Sequence, residues 1–166
     1  RVRGTGDARA PFFTDQDEQR LLFELSQMSN KNHLRLTKLA LATGFRRSEL
    51  LSLTWRNIDI KNNRIYIQRK ECAARGGSNS MRIVPLPSNV KKLLRSFEGK
   101  EGKVLPITKG AARNGFDKAR KRAELNTLRF HDLRHIAISR MWSSGMNALE
   151  ISCLLYTSPS PRDDSQ

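Results

Sequence analysis

His131-Asp-Leu-Arg-His135, read with Ala42-Thr-Gly-Phe-Arg-Arg-Ser-Glu-Leu50 about ninety positions upstream, decides how this chain is to be understood. Each segment sets an arginine at the edge of a predicted helix. The second adds a histidine three residues before its arginine, a spacing that puts both on one helical face, turned away from Leu133 and Ile136, which read as core. Two guanidiniums can grip one phosphodiester from two sides, and an imidazole titrates near neutral pH and can move a proton. Two such arginines and a histidine are the minimum apparatus for cutting DNA without a metal, and no cofactor or metal ligand set is expected.

Composition points the same way. The chain has 166 residues, with 31 Lys plus Arg against 16 Asp plus Glu and a net charge of +15. That length suits one domain with a real core. The cationic excess favours a polyanionic partner, double-stranded DNA first, over a small neutral substrate. Charge alone leaves a ribosomal-type or merely basic protein open; the arginine segments argue against it. No apolar run is long enough to span a bilayer. The first residues, Arg-Val-Arg-Gly-Thr-Gly-Asp, lack the apolar stretch of a secretory signal, so a cytoplasmic protein is expected. Cys72 and Cys153 show no metal or redox spacing.

Outward from the two segments, periodicity predicts a mainly α chain with a small antiparallel hairpin. Residues 1–13 are basic and aperiodic and read as a linker. Thr14 caps a first helix with Asp15, Asp17 and Glu18 in its first turn and Leu21, Leu22, Leu25 and Met28 on one face. A second helix, His33 to Thr43, stops at Gly44. Ser48 is placed to cap a third, Glu49 to Trp55. Ile65, Ile67, Ile83 and Val84 mark the hairpin, joined by a turn at Gly76 to Ser80 and closed by Pro85 and Pro87. Helices follow over 89–97, 109–124 and 132–144. The last ends at Gly145, and an Asn147/Glu150 capping box opens a short apolar helix to Leu155. The basic run Lys118, Arg120, Lys121, Arg122 reads equally as a solvated face or as DNA contacts, with Arg120 and Lys121 foremost.

The two segments resemble the first and second arginine boxes of the tyrosine recombinases, the phage integrase family. Leu53-Thr-Trp-Arg-Asn-Ile-Asp59 resembles the continuation of the first box. Ile65-Tyr-Ile-Gln-Arg-Lys70 and Met81-Arg-Ile-Val-Pro-Leu86 resemble the family's β-hairpin. Specificity comes from four elements in the right order across residues 14–155. The resemblance implies the family's catalytic-domain fold in a bacterial or phage-encoded protein of a mobile element. It implies site-specific recombination or integration, in which a tyrosine attacks the scissile phosphate and leaves a 3′-phosphotyrosine link. The family pattern assigns Arg46, His131 and Arg134 as catalytic, with Glu49 and His135 supporting. It also implies a general-acid lysine on the hairpin, for which Lys70 at the end of the first strand is the choice. Arg75 competes for that region, but a guanidinium is a poor proton donor. Arg47, pointing elsewhere than Arg46, remains a phosphate contact, as does Arg75. Both Arg46 and Arg47 as plain surface phosphate contacts is the simpler reading without the resemblance. Family members work as tetramers on paired DNA sites, which is the expected assembly of the full-length protein.

The sequence departs from the family after Leu154-Leu155. Tyr156-Thr157 stands where the family has Gly-His, and the Pro-interrupted segment to Gln166 is aperiodic and expected to be disordered. Tyr156 comes too soon after Arg134 to be the expected nucleophile. The reading is a partial catalytic domain, 14–155, with a non-native tail at 156–166 and without the family's separate N-terminal DNA-binding domain. Such a polypeptide is expected to bind DNA weakly without cutting it. The nucleophile stays unassigned. A noncatalytic DNA-binding remnant and, less well supported, a helix-turn-helix regulator are the rivals.

Overall fold

The computed structural model describes residues 13–68, 81–97 and 101–155. Lys70, Cys72, Arg75, the Gly76 to Ser80 turn, the segment 1–12 and the segment from Tyr156 onward lie outside the described residues. Along the chain run α1 (Asp15–Ser26), α2 (Asn32–Thr43), α3 (Arg47–Ser52), a 3-10 turn (Trp55–Asn57), β1 (Ile58–Asp59), β2 (Arg64–Gln68), β3 (Met81–Pro85), α4 (Ser88–Arg95), α5 (Lys109–Arg122), α6 (Asp132–Ser143) and α7 (Ala148–Leu155). The strands form one antiparallel sheet in the order β1-β2-β3. This is the mainly α architecture with a small sheet that the sequence predicts. β1 was not predicted, because a two-residue strand is too short to show a period of two.

Local chemistry explains most boundaries. The Thr14 hydroxyl accepts from the Asp17 N–H at 3.2 Å, and the Asp17 carboxylate accepts from the Thr14 N–H at 2.9 Å, a reciprocal capping box opening α1. The bond from the Thr14 backbone, with help from Arg20, lowers Asp17 to about 2. Asn147 and Glu150 make the same box before α7, as expected, at 2.7 and 2.9 Å.

α3 differs from its prediction at both ends. Its N-cap is Arg46, not Ser48, and it stops at Ser52 rather than Trp55. The stop has a cause in pairing. Leu53 O accepts from Val104 N and Trp55 N donates to Gly102 O, so the chain after Ser52 is held in extended pairing with 102–104. Those bonds satisfy backbone groups that a longer helix would have used.

The core lies around α2, which packs against α1, α3, α4, α5 and α6. Leu36, Leu39 and Ala40 on α2, Leu21 and Leu25 on α1, and Leu133 on α6 are buried there. Each buried leucine contributes roughly 1.5–3 kcal/mol relative to exposure. Where α2 crosses α5, a Cβ on Gly115 would lie 2.2 Å from the His33 ring, so only glycine allows this approach. In the sheet, Ile65 faces Val84 and Ile67 faces Arg82 across β2 and β3. All four are buried, so the inward face of the hairpin carries one arginine among aliphatic residues. Among the described residues no helix is long and apolar enough to cross a membrane.

Candidate functional site

Two short turns carry the site, built on one local plan. In the first, α2 ends at Gly44 in the left-handed conformation, φ 66°. Phe45 and Arg46 then lead into α3. Arg46 is extended, and its backbone N–H donates to Glu49 Oε2 at 2.8 Å. Its guanidinium Nη1 lies 3.7 Å from Glu49 Oε1. Glu49 thus caps the helix and steadies the arginine at once. In the second turn, the Arg129 N–H donates to Asp132 Oδ2 at 2.7 Å, and His131 is the N-cap of α6.

Arg134 sits differently from the sequence expectation, in which the His131/Arg134 pair faces away from the core. His131 is exposed, whereas Arg134 is only 5% exposed. Arg134 Nη1 donates to Gly44 O at 2.5 Å, and Nη2 reaches Leu155 O at 3.5 Å. Both carbonyls belong to helix ends, where intrahelical donors run out. The guanidinium supplies those donors and is drawn inward.

Phe45, Arg46, Arg47, Arg129, Phe130, His131 and Arg134 line a cleft of about 270 Å³ between the two turns. Arg46 and Arg47 therefore share one cleft, although a helix was expected to separate them. Arg46 lies just before α3 in extended backbone, so the helical step does not set the angle between them. Arg47 stacks over Phe130 with its guanidinium 5.6 Å from the ring centroid, and Phe130 meets Phe116 edge-on at 5.1 Å. A larger groove of about 1000 Å³, lined by Leu22, Leu41, Leu93, Met141 and Leu149, lies elsewhere. Its apolar walls do not suit a phosphate.

The cleft favours a neutral imidazole. His131 is lowered from 6.5, first by burial and then by His135, whose ring is 5.2 Å away, with Arg134 and Arg46 adding to it and Asp132 opposing. An anion in the cleft would reverse the arginine contribution and make His131 a better proton carrier.

The sequence reading missed Arg82. This side chain is 5% exposed, donates from Nη1 to Leu155 O at 2.5 Å, and has Nη2 3.4 Å from Glu49 Oε1. Its guanidinium lies 5.4 Å from the Phe45 ring centroid. Burial lowers its pKa, Glu49 opposes that, and Arg134 and Arg46 add to it. Strand alternation carried the signal: Arg82 occupies the same face as Val84, an inward position where arginine needs an explanation.

The remaining predicted residues divide clearly. Glu49 joins the site between Arg46 and Arg82; His135 is exposed beside His131. Arg120 is used within the fold, bonded to Asp117 at 2.9 Å and to the Asn126 carbonyl, while Lys121 is exposed. Lys70 and Arg75 lie outside the described residues. Among the described residues no cluster of side chains suits a metal ion.

Comparison with known proteins agrees with this geometry. A shufflon-specific DNA recombinase of Escherichia coli is 30% identical over 139 residues, covering 82% of this chain and 35% of the relative. The chain thus spans about a third of that relative. The catalytic domain of bacteriophage HP1 integrase superposes with a TM-score of 0.68 at 26% identity, over 88% of this chain and 80% of the other. The lambda integrase catalytic core shares the fold at 17% identity, TM-score 0.64, over 84% and 90% of the two chains. Residues 11–155 match the profile of the phage integrase family, and with both arginine turns converging on one cleft the chain belongs to that family.

Proposed function

We propose that residues 14–155 are the phosphate-gripping part of a site-specific DNA recombinase, which cuts and rejoins double-stranded DNA through a 3′-phosphotyrosine intermediate. The observation carrying this reading is the convergence of Arg46, Arg134 and His131 on a single cleft from turns that the chain keeps far apart. Arg46 and Arg134 stabilise the charge that builds on the phosphorane-like transition state. His131 handles a proton at that phosphate, in keeping with its neutral resting form. A tyrosine Oη–P bond forms as the P–O5′ bond breaks, and the departing oxygen takes a proton from the hairpin lysine, assigned by resemblance to Lys70. Reversal with an incoming 5′-hydroxyl restores the tyrosine, so bond energy is stored without ATP.

The relatives' names support this reading: the E. coli protein is a DNA recombinase, and lambda integrase has been seen as a dimer bound to a core site. The full-length protein assembles as a tetramer on paired sites and works in the cytoplasm where its DNA lies. The nucleophile stays unassigned, with Tyr156 disfavoured by its closeness in sequence to Arg134, and the expected behaviour of this chain is DNA binding without cleavage. A nicked suicide duplex tests both halves. Salt-sensitive, noncovalent binding that Arg46→Gln weakens is expected. Absence of DNA binding would remove the recombinase reading, and a covalent adduct abolished by Tyr156→Phe would make Tyr156 the nucleophile. The rival, a DNA-binding remnant with no catalytic role, predicts no adduct even when a tyrosine-bearing helix is appended after Leu155.

A further inference from the structure

The arginine cleft holds more positive charge than one phosphodiester can use. Four arginines line it, and they are not equivalent. Arg46 shares Glu49, and Arg134 is bonded to the carbonyls of Gly44 and Leu155. Arg47 and Arg129 also face the cleft, and among the described residues neither guanidinium has a carboxylate within ion-pair distance. The carboxylates of the two turns are engaged by backbone: Glu49 accepts from Arg46 N and Asp132 from Arg129 N. These two cations therefore flank the cleft without an internal counter-charge.

We propose that Arg47 and Arg129 form a second anion site, which takes the DNA phosphate adjacent to the one held by Arg46 and Arg134. This rests on the DNA reading above and extends it to two consecutive phosphates of one strand. Phe130 follows Arg129 in the chain and lies beneath Arg47. It is buried, braced edge-on by Phe116, and stacked under the Arg47 guanidinium. A guanidinium held over a ring by cation–π attraction keeps its N–H donors for a ligand. Arg129 lines the cleft from the opposite turn, where its backbone N–H is held by Asp132. A phosphate between them would be met from two sides by guanidiniums, as the neighbouring one is. Contacts of this kind position DNA without reading bases, so the second site sets the register of the strand rather than its sequence.

The test is the salt dependence of binding to a short fluorescein-labelled duplex, measured by anisotropy for the full chain. Each phosphate neutralised contributes about 0.9 to the slope of log Kobs against log salt. Arg47→Gln with Arg129→Gln is expected to flatten that slope by about 0.9, equally for unrelated sequences. Arg47→Lys with Arg129→Lys is expected to keep it, because the charge stays. Thermal melts of both double variants exclude a folding defect. An unchanged slope in a folded Gln double variant would overturn the second site while leaving the recombinase reading intact. A wild-type chain that binds no DNA at all would instead remove the reading on which the second site rests.

Discussion

The two arginine turns follow one plan and reach opposite results. Each opens a helix with an arginine N–H bonded to a carboxylate three residues on: Arg46 to Glu49, Arg129 to Asp132. Yet the box arginines end in different surroundings. The Arg46 side chain is 45% exposed, while Arg134 is 5% exposed and holds two helix-end carbonyls. Position explains the difference. Arg46 precedes its helix, whereas Arg134 lies in the first turn of α6, opposite the ends of α2 and α7. One arginine is presented to a ligand; the other also ties the scaffold together. Loss of function at the two positions should therefore arise by different routes.

The largest expected effect comes from breaking the buried tie. Arg134→Met removes two bonds from a charged donor and leaves the buried Gly44 O short of one, at about 1–3 kcal/mol, while Leu155 O keeps the Arg82 bond. A loss of roughly 3 kcal/mol is expected, which lowers Tm by about 6–12 °C in a chain of this size. Arg46→Met should leave stability within about 0.5 kcal/mol, as for ordinary surface changes, and reduce only DNA affinity. Thermal melts of the two variants side by side decide it; equal Tm losses would erase the contrast.

Next in size is Gly44→Ala, which strains the junction without touching a guanidinium. Gly44 has φ +66°, and a Cβ there would sit 3.1 Å from Leu155 Cδ2 and 3.4 Å from Ala137 Cβ. The left-handed backbone costs about 1–2 kcal/mol for an L side chain, and the neighbouring leucine must shift. A destabilisation of roughly 2 kcal/mol in urea titration is expected. Arg82→Met should cost less, about 1 kcal/mol, even though Arg82 is as buried as Arg134. Arg82 Nε and Nη2 lack hydrogen bonds in a buried setting, so removing this cation relieves desolvation, which offsets the lost bond to Leu155 O and the lost ion pair to Glu49, a carboxylate that keeps Arg46. If Arg82→Met proves as damaging as Arg134→Met, its incomplete bonding is no guide to its energetic role.

These cases also mark what the sequence made legible. Helix positions, the Gly44 stop and the two arginine turns followed from caps and periodicity, because those signals act within a few residues. The Thr14 cap and the Asn147/Glu150 capping box are legible for that reason, whereas the reciprocal bond from Asp17 that completes a box at Thr14 is a structural finding. The early end of α3 was not legible, since it depends on pairing of 53–55 with a segment almost fifty positions away. Arg134 was placed on the wrong side for a similar reason: its partners, Gly44 O and Leu155 O, are backbone groups that no residue type announces. Arg82 was readable in principle from alternation with Val84, but a basic residue in a basic chain drew no notice. Lys70 and Arg75 were named by resemblance alone.

The smallest and finest test concerns the exposed half of the second turn. Burial, His135 and the nearby arginines lower His131 from 6.5, so the folded chain holds the neutral ring more firmly than the unfolded chain does. Between the folded pKa and 6.5 the unfolded state binds more protons, and stability therefore rises with pH through that window. The contribution is fully present above 6.5 and is lost as pH falls. The imidazole Cε1–H resonance, followed by NMR, should titrate below 6.5 in the free protein. His135→Gln should move the midpoint upward by removing the neighbouring positive charge. Duplex DNA should move it upward further, because a phosphate between Arg46 and Arg134 offsets their repulsion of the imidazolium. A midpoint that ignores DNA would mean that His131 does not sense the cleft, and the proton-handling role given to the exposed half of this turn would fall.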